Sequence, residues 1–498
     1  MISEKLRQAR EYEAEHGPLV PPEERPRFHV TGGVGWINDP NGFSFYRGEA
    51  HLFYQYHPYA TVWGPMHWGH VKTRDFIRWE RLPVALAPDM PYDGFGCFSG
   101  SALELPDGRH LLMYTGVRGE RLPDGKAKHY QTQCLAVGDG VNYEKLAENP
   151  VLTARDLPEG ASEVDFRDPK IWQEPDGYYA VVGNRPADGS GSALLFRSDD
   201  AFHWRYTGAV AMNGHRYGKM WECPDFFRLD GEDVLMVSAQ DMRSEGLEFR
   251  GGNETLCLIG HADAMKRLTP ERAQAVDYGI DFYAPQTLLA PDGRRIMIAW
   301  MQNWGIARAR NAADHICGQM TLPRELRVRD GRLIQNPVRE LENYRGKKIV
   351  HSDVPVRGET RLEGVRGRCL DLTVSVRPDG GAPYSAFRLN LAQDGAQRTS
   401  VCFMPGRGSV RVERSDCGFR YEIAHEREFP VASGDGRVRL RAVMDHHSLE
   451  LFVNDGEQAA SFVLHAPLSA DAVSFGAEGE ARMDVEMYEL DIDGGAGA

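Results

Sequence analysis

Residues 39–56 read DPNGFSFYRGEAHLFYQY. A polar motif leads into a short apolar strand, a tight turn at Arg47-Gly48, and a second, more apolar strand. The same grammar returns four times: SGSALELPDGRHLLMYTG from Ser99, DPKIWQEPDGYYAVVGN from Asp168, PDFFRLDGEDVLMVSAQ from Pro224 and APQTLLAPDGRRIMIAW from Ala284. Four of the five turns carry Asp-Gly (107–108, 176–177, 230–231, 292–293), a dipeptide that accepts the positive φ of a hairpin. The anchors stand 56 to 69 residues apart, which suits a four-stranded sheet with generous loops. Five equivalent sheets close on themselves as a β-propeller; a sandwich also uses hairpins, but nothing in its topology calls for five equal units. The expected architecture is all-β, with a five-bladed propeller over residues 27–345.

Outward from the repeats the composition changes. All nine tryptophans precede residue 345. Beyond it come short alternating runs such as CLDLTVSV, AFRLNLA, VRLRAV and SLELFV, the period-2 signature of half-buried antiparallel strands. Residues 346–354 read as a linker and 355–498 as a β-sandwich. Residues 1–26 read as a helical extension: 1–17 are densely charged with no apolar h-region, so they do not form a secretory signal.

Composition excludes several roles. With 72 acidic against 58 basic residues the net charge is −14, which repels nucleic acid. No run of 18 uncharged apolar residues is present, so no membrane span is expected. Eight cysteines are scattered without a CxxC, as in a cytoplasmic protein with reduced thiols. His67 and His70 form an HxxH with no further ligands in metal spacing, so neither metal nor cofactor is expected.

The chemistry sits in the motifs that open the repeats. Asp39 opens the first and Asp168 the third, and Glu222 lies just ahead of the fourth. Taken singly, DPNG and PDG are ordinary turn sequences. In equivalent blades, however, these carboxylates would converge on one mouth of the central channel. Crowded carboxylates raise the pKa of at least one member, an arrangement suited to acid/base work. Two such groups perform retaining glycoside hydrolysis, and a third stabilises positive charge in the transition state.

These motifs carry a family resemblance. Trp36-Ile37-Asn38-Asp39-Pro40-Asn41-Gly42, Phe98-Ser99-Gly100-Ser101-Ala102, Phe166-Arg167-Asp168-Pro169-Lys170 and Trp221-Glu222-Cys223-Pro224-Asp225 resemble glycoside hydrolase family 32. Trp63-Gly64-Pro65-Met66-His67-Trp68, Asp281-Phe282-Tyr283-Ala284-Pro285-Gln286 and Trp300-Met301-Gln302-Asn303-Trp304 continue the series in order. The resemblance implies a propeller followed by a sandwich, and cleavage of a terminal fructosyl bond in sucrose or sucrose 6-phosphate. It assigns Asp39 as nucleophile, Glu222 as acid/base and Asp168 as transition-state stabiliser. It places Asn38, Gln55, Trp63, Phe98, Ser99, Arg167, Asp281 and Trp300 around the sugar. Ile37 and His57 depart from the family's usual residues without touching the chemistry.

Three expectations about environment follow. Asn38 or the Pro-Asn-Gly turn should bond Asp39; Trp221 and Cys223 should keep Glu222 protonated by desolvation; Arg167 should keep Asp168 charged. A 6-phosphate would call for a cation at the rim, with Lys72, Arg74, Lys126 and Lys128 as candidates. The rival functions are a fructosyltransferase on the same scaffold and a non-catalytic sugar-binding propeller. The sandwich would brace the propeller or carry homo-oligomer contacts.

Overall fold

The computed structural model describes residues 2–122, 124–304, 314–380, 384–395, 397–418 and 424–493. Five sheets surround a channel. Their innermost strands are Gly35–Tyr46, Gly96–Glu104, Phe166–Glu174, Trp221–Leu229 and Tyr283–Leu289, in blades 1 to 5. Each innermost strand touches the next, and the fifth touches the first, so the ring is closed. Each is followed by the apolar strand read from the sequence, and the turn glycines Gly48, Gly108, Gly177, Gly231 and Gly293 all take positive φ. A short strand, Ile316–Cys317, leaves blade 5 to pair in parallel with the innermost strand of blade 1, tying the two ends of the ring together.

The five innermost strands share one irregularity. Register breaks by a β-bulge between Ile37 and Pro40, Phe98 and Gly100, Glu222 and Asp225, and Tyr283 and Gln286. In blade 3 the break falls between Arg167 and Lys170. Pro40, Pro169, Pro224 and Pro285 lie in or beside these bulges, where a missing N–H costs no ladder bond. A bulge inserts a residue and re-aims the side chains around it, and here it turns them toward the channel mouth.

The sandwich comprises ten antiparallel strands. Arg345–Thr360 and Ala472–Leu490 are long strands paired along their length; the latter joins Ala386–Asp394 at one end and Leu370–Pro378 at the other. Residues 346–354 therefore form part of a strand, not a linker. Their charged side chains are mostly exposed on an outer face, which hid the alternation. The last five residues of the stretch read as sandwich lie outside the described residues. Helix α1, Glu4–His16, is capped by Ser3 and buries Leu6 and Ala9 against blade 1.

Buried charge joins the two domains. Arg324 of blade 5 donates to Asp277, to Glu450 of the sandwich and to Ser461. His29 lies between Asp445 and Glu450 at 2.9 and 3.0 Å, all three side chains inaccessible to solvent. Burial opposes charge on His29, but the two carboxylates outweigh it and lift its pKa to about 9.

Candidate active site

At the end of the channel where the innermost strands begin lies a cavity of about 590 Å³. Asp39, Asp168 and Glu222 all line it, with Asn38, Gln55, Trp63, Phe98, Ser99 and Arg167. Counting back from the bulge prolines orders the site into two rings. One residue before proline stand Asp39, Asp168, Cys223 and Ala284; two before stand Asn38, Arg167, Glu222 and Tyr283. Glu222 is thus offset by one position from the two aspartates. Asp168, Cys223 and Ala284 have φ of 67°, 46° and 52°, a strained conformation for side chains with a Cβ that is typical of functional positions.

The first ring is held by short contacts. Asp39 accepts from Asn38 Nδ2 at 3.0 Å and Ser99 Oγ at 2.6 Å, and Trp36 Nε1 fixes Asn38 from behind at 2.8 Å. The bond from Asn38 matches the expectation for Asp39. The Cys223 thiol sits between the two aspartates, 3.7 Å from Asp39 Oδ2 and 3.6 Å from Asp168 Oδ2. The Cys223 backbone N–H donates to the same Asp168 oxygen at 3.0 Å.

The second ring holds Glu222. Arg167 donates two N–H groups to its Oε1 at 3.1 and 2.8 Å, and Tyr283 donates to its Oε2 at 2.6 Å. Two expectations change here. Glu222 is gripped by donors rather than merely desolvated, and Arg167 stands 3.9 Å from Asp168, spending its bonds on Glu222 and Asp165. The titration of Asp168 is displaced. Its burial, with Glu222 and Asp39 adding repulsion against Arg167's pull, raises its pKa to about 7. Asp39 is also raised, chiefly by burial and opposed by the Ser99 hydrogen bond.

Two predicted sugar contacts lie elsewhere. Asp281 is fully buried, pairs with Arg414 of the sandwich and accepts from Val463 N and Asn303; it is a domain joint. Trp300 is fully buried beneath the floor, packed on Trp36 and on Trp304, and it is Trp304 that lines the cavity. Trp63 is 39 % exposed at the mouth, edge-on to Phe98. Of the cations considered for a phosphate, only Lys128 lines the cavity, joined by His129 and Arg185. Lys72 and Arg74 pair with Glu49 instead. Lys128 is engaged by Glu163 and Arg185 by Asp165.

Among the described residues, no group of three or more His, Cys, Asp or Glu is arranged to hold a metal ion. His67 bonds the Pro65 carbonyl, and His70 belongs to a separate buried trio with His51 and His110.

Three carboxylates, a guanidinium and a tryptophan shelf at one end of a five-bladed propeller define a carboxylate-dependent glycoside hydrolase. Residues 29–337 match the glycosyl hydrolases family 32 N-terminal domain, and 340–490 match the family 32 C-terminal domain. The chain belongs to glycoside hydrolase family 32. It is 36 % identical over 484 residues to a sucrose-6-phosphate hydrolase of Zymomonas mobilis, covering 94 % of this chain and 92 % of that one. It is 38 % identical over 469 residues to the raffinose invertase of Escherichia coli, covering 92 % and 93 %. A mutant of the Bombyx mori family 32 β-fructofuranosidase, solved with sucrose, superposes with a TM-score of 0.82 at 32 % identity, covering 97 % and 98 %.

Proposed function

We propose that this chain is a retaining β-fructofuranosidase that hydrolyses the terminal fructosyl bond of sucrose or sucrose 6-phosphate, in the order the two rings suggest. An Asp39 oxygen attacks the anomeric carbon while Glu222 gives its proton to the departing glucosyl oxygen. The glucose unit leaves, and fructose stays esterified to Asp39. Glu222 then takes a proton from water as the water oxygen displaces the ester, returning Asp39 to the carboxylate and releasing fructose with its configuration retained. Asp168 holds fructosyl hydroxyls and supplies negative charge to the oxocarbenium-like transition state. The observation that carries this reading is the meeting of Asp39, Asp168 and Glu222 on one cavity, the two aspartates sharing the Cys223 thiol.

Asp39→Ala and Glu222→Ala should each lower kcat by about 10⁴-fold with the fold intact, and NMR should find β-fructofuranose as the first product. Normal turnover in either variant, or an inverted first product, would remove the mechanism. Free fructose at all sucrose concentrations distinguishes hydrolysis from fructosyl transfer. Lys128, His129 and Arg185 are the groups a 6-phosphate would meet, so Lys128→Ala should lower kcat/KM on sucrose 6-phosphate more than on sucrose.

The same reading places the enzyme in the cytoplasm. Cys97, Cys134, Cys223, Cys257, Cys369 and Cys402 carry thiols, in keeping with a reducing compartment. No helix among the described residues is long and apolar enough to cross a membrane. A homo-oligomer through the sandwich is part of the proposal, and light scattering decides it.

A further inference from the structure

The propeller channel has a second mouth. Where the innermost strands end, their last residues line a cavity of about 660 Å³. Between it and the catalytic cavity the channel is filled by hydrogen-bonded side chains: Gln286 donates to the Gly100 carbonyl at 2.7 Å and Ser101 to the Pro169 carbonyl at 2.7 Å. The two cavities are therefore separate sites.

The far cavity is lined by carboxylates at Glu104, Glu174, Asp233 and Asp263 and by cations at Arg228 and Lys266, and in its floor two cations stand against one carboxylate. Lys170 is buried, donates to the Thr287 carbonyl and stands 3.3 Å from Asp225 Oδ2. Arg295 lies with its guanidinium carbon 4.7 Å above the Phe227 ring. Its only hydrogen bond among the described residues is a long one, from Nη1 to Thr287 Oγ1 at 3.4 Å, and its Nε is buried without a partner. No acidic side chain among the described residues lies within 4.0 Å of it, and Asp225 reaches Lys170 instead. Two cations thus share one carboxylate. Asp225 is itself 1 % exposed, and its Oδ1 accepts nothing.

Buried charges are ordinarily paired and fully hydrogen-bonded, because an unpaired one forfeits its hydration. Guanidinium in particular presents a planar fork of donors matched to oxyanions. A ligand that brings an oxyanion to the exposed part of the Arg295 guanidinium and to Lys170 supplies the negative charge that Asp225 alone does not provide. We propose that the far mouth is an oxyanion site that takes phosphate, either free or esterified to a sugar. Trp172, which also lines the cavity, offers an aromatic face to a sugar ring. The site is independent of the catalytic residues, so it stands or falls apart from the hydrolase reading.

Isothermal titration at constant ionic strength, with fructose saturating the catalytic cavity, tests it. The probes are inorganic phosphate, D-glucose 6-phosphate and D-glucose, each on the wild type, Arg295→Gln and Arg295→Lys. The expected result is saturable 1:1 binding of phosphate to the wild type, at least about tenfold weaker in Arg295→Gln, with sucrose turnover unchanged. Arg295→Lys, which keeps the charge but loses the fork, should fall between and serves if Arg295→Gln does not fold. Tighter binding of the ester than of inorganic phosphate identifies a sugar phosphate as the occupant; equal binding identifies the bare anion. Absence of saturable phosphate binding, affinity unchanged by both substitutions, or glucose binding as well as phosphate would overturn the proposal.

Discussion

At the scale of the residue, the cavity gives three carboxylates three different surroundings. Asp39 has two short donors, Glu222 has a guanidinium and a phenol, and Asp168 has one backbone N–H and a thiol. Burial and the neighbouring carboxylates raise the pKa of Asp168 to about 7. The linkage sign follows: its burden on stability is absent below the unfolded value near 3.8 and grows until pH passes about 7. Asp168→Asn, which mimics the protonated side chain, should match the wild type in melting temperature near pH 4 and exceed it near pH 8. Its kcat should fall by about 10² to 10³-fold. Calorimetry across that range decides it, and an advantage that shrinks toward alkaline pH would contradict the assignment. The three acids were legible from the sequence because each sits in a recurring motif. Tyr283 was not, although it stands at the repeat position that yields Glu222 and Arg167; counting back from each proline would have found it. Asp281 misled because a motif that resembles the family's can serve a domain joint as readily as a ligand.

At the scale of the element, the innermost strand with its bulge is the working unit. The hairpin turns were readable because Asp-Gly states its own φ. The bulges were not, because register is a property of two strands and only one is visible in a motif. The stretch 346–354 was misread for a related reason: its pairing partners, such as Tyr488 for Lys348 and Met483 for Val354, lie far along the chain in the last strand. Blades 1 and 2 are cemented by His51, His70 and His110. His51 bonds His70 at 2.9 Å, and His110 reaches Ser44 and Tyr143. Burial lowers the pKa of His51 to about 4 and holds those of His70 and His110 well below the ordinary value. Neutral buried histidines stabilise above their unfolded pKa near 6.5, and that stability is lost as pH falls through the folded values. Melting temperature should therefore drop steeply between pH 6.5 and 4. Hydrogen exchange should locate the earliest opening in blades 1 and 2; a first opening in the sandwich would contradict this.

At the scale of the whole molecule, propeller and sandwich behave as one body because the joint between them is charged and dry. Asp281–Arg414, Arg324–Glu450 and His29–Asp445 all cross it with side chains that solvent does not reach. Removing one partner of such a set costs about 3–5 kcal/mol, since the remaining charge is stranded. His29→Gln should lose about that much at pH 6. The gap to the wild type should close as pH rises through about 9, where His29 gives up its proton; a gap that stays constant with pH would assign His29 a packing role only.

The account rests on Asp39 forming a bond to the sugar. Glu222→Ala supplied with fructosyl fluoride, a donor whose leaving group needs no acid, should form the ester and be unable to hydrolyse it. Mass spectrometry of the quenched, digested enzyme should find one fructosyl unit on the peptide that contains Asp39. A fructosyl unit on any other peptide, or turnover of the fluoride with no adduct at all, would contradict the account.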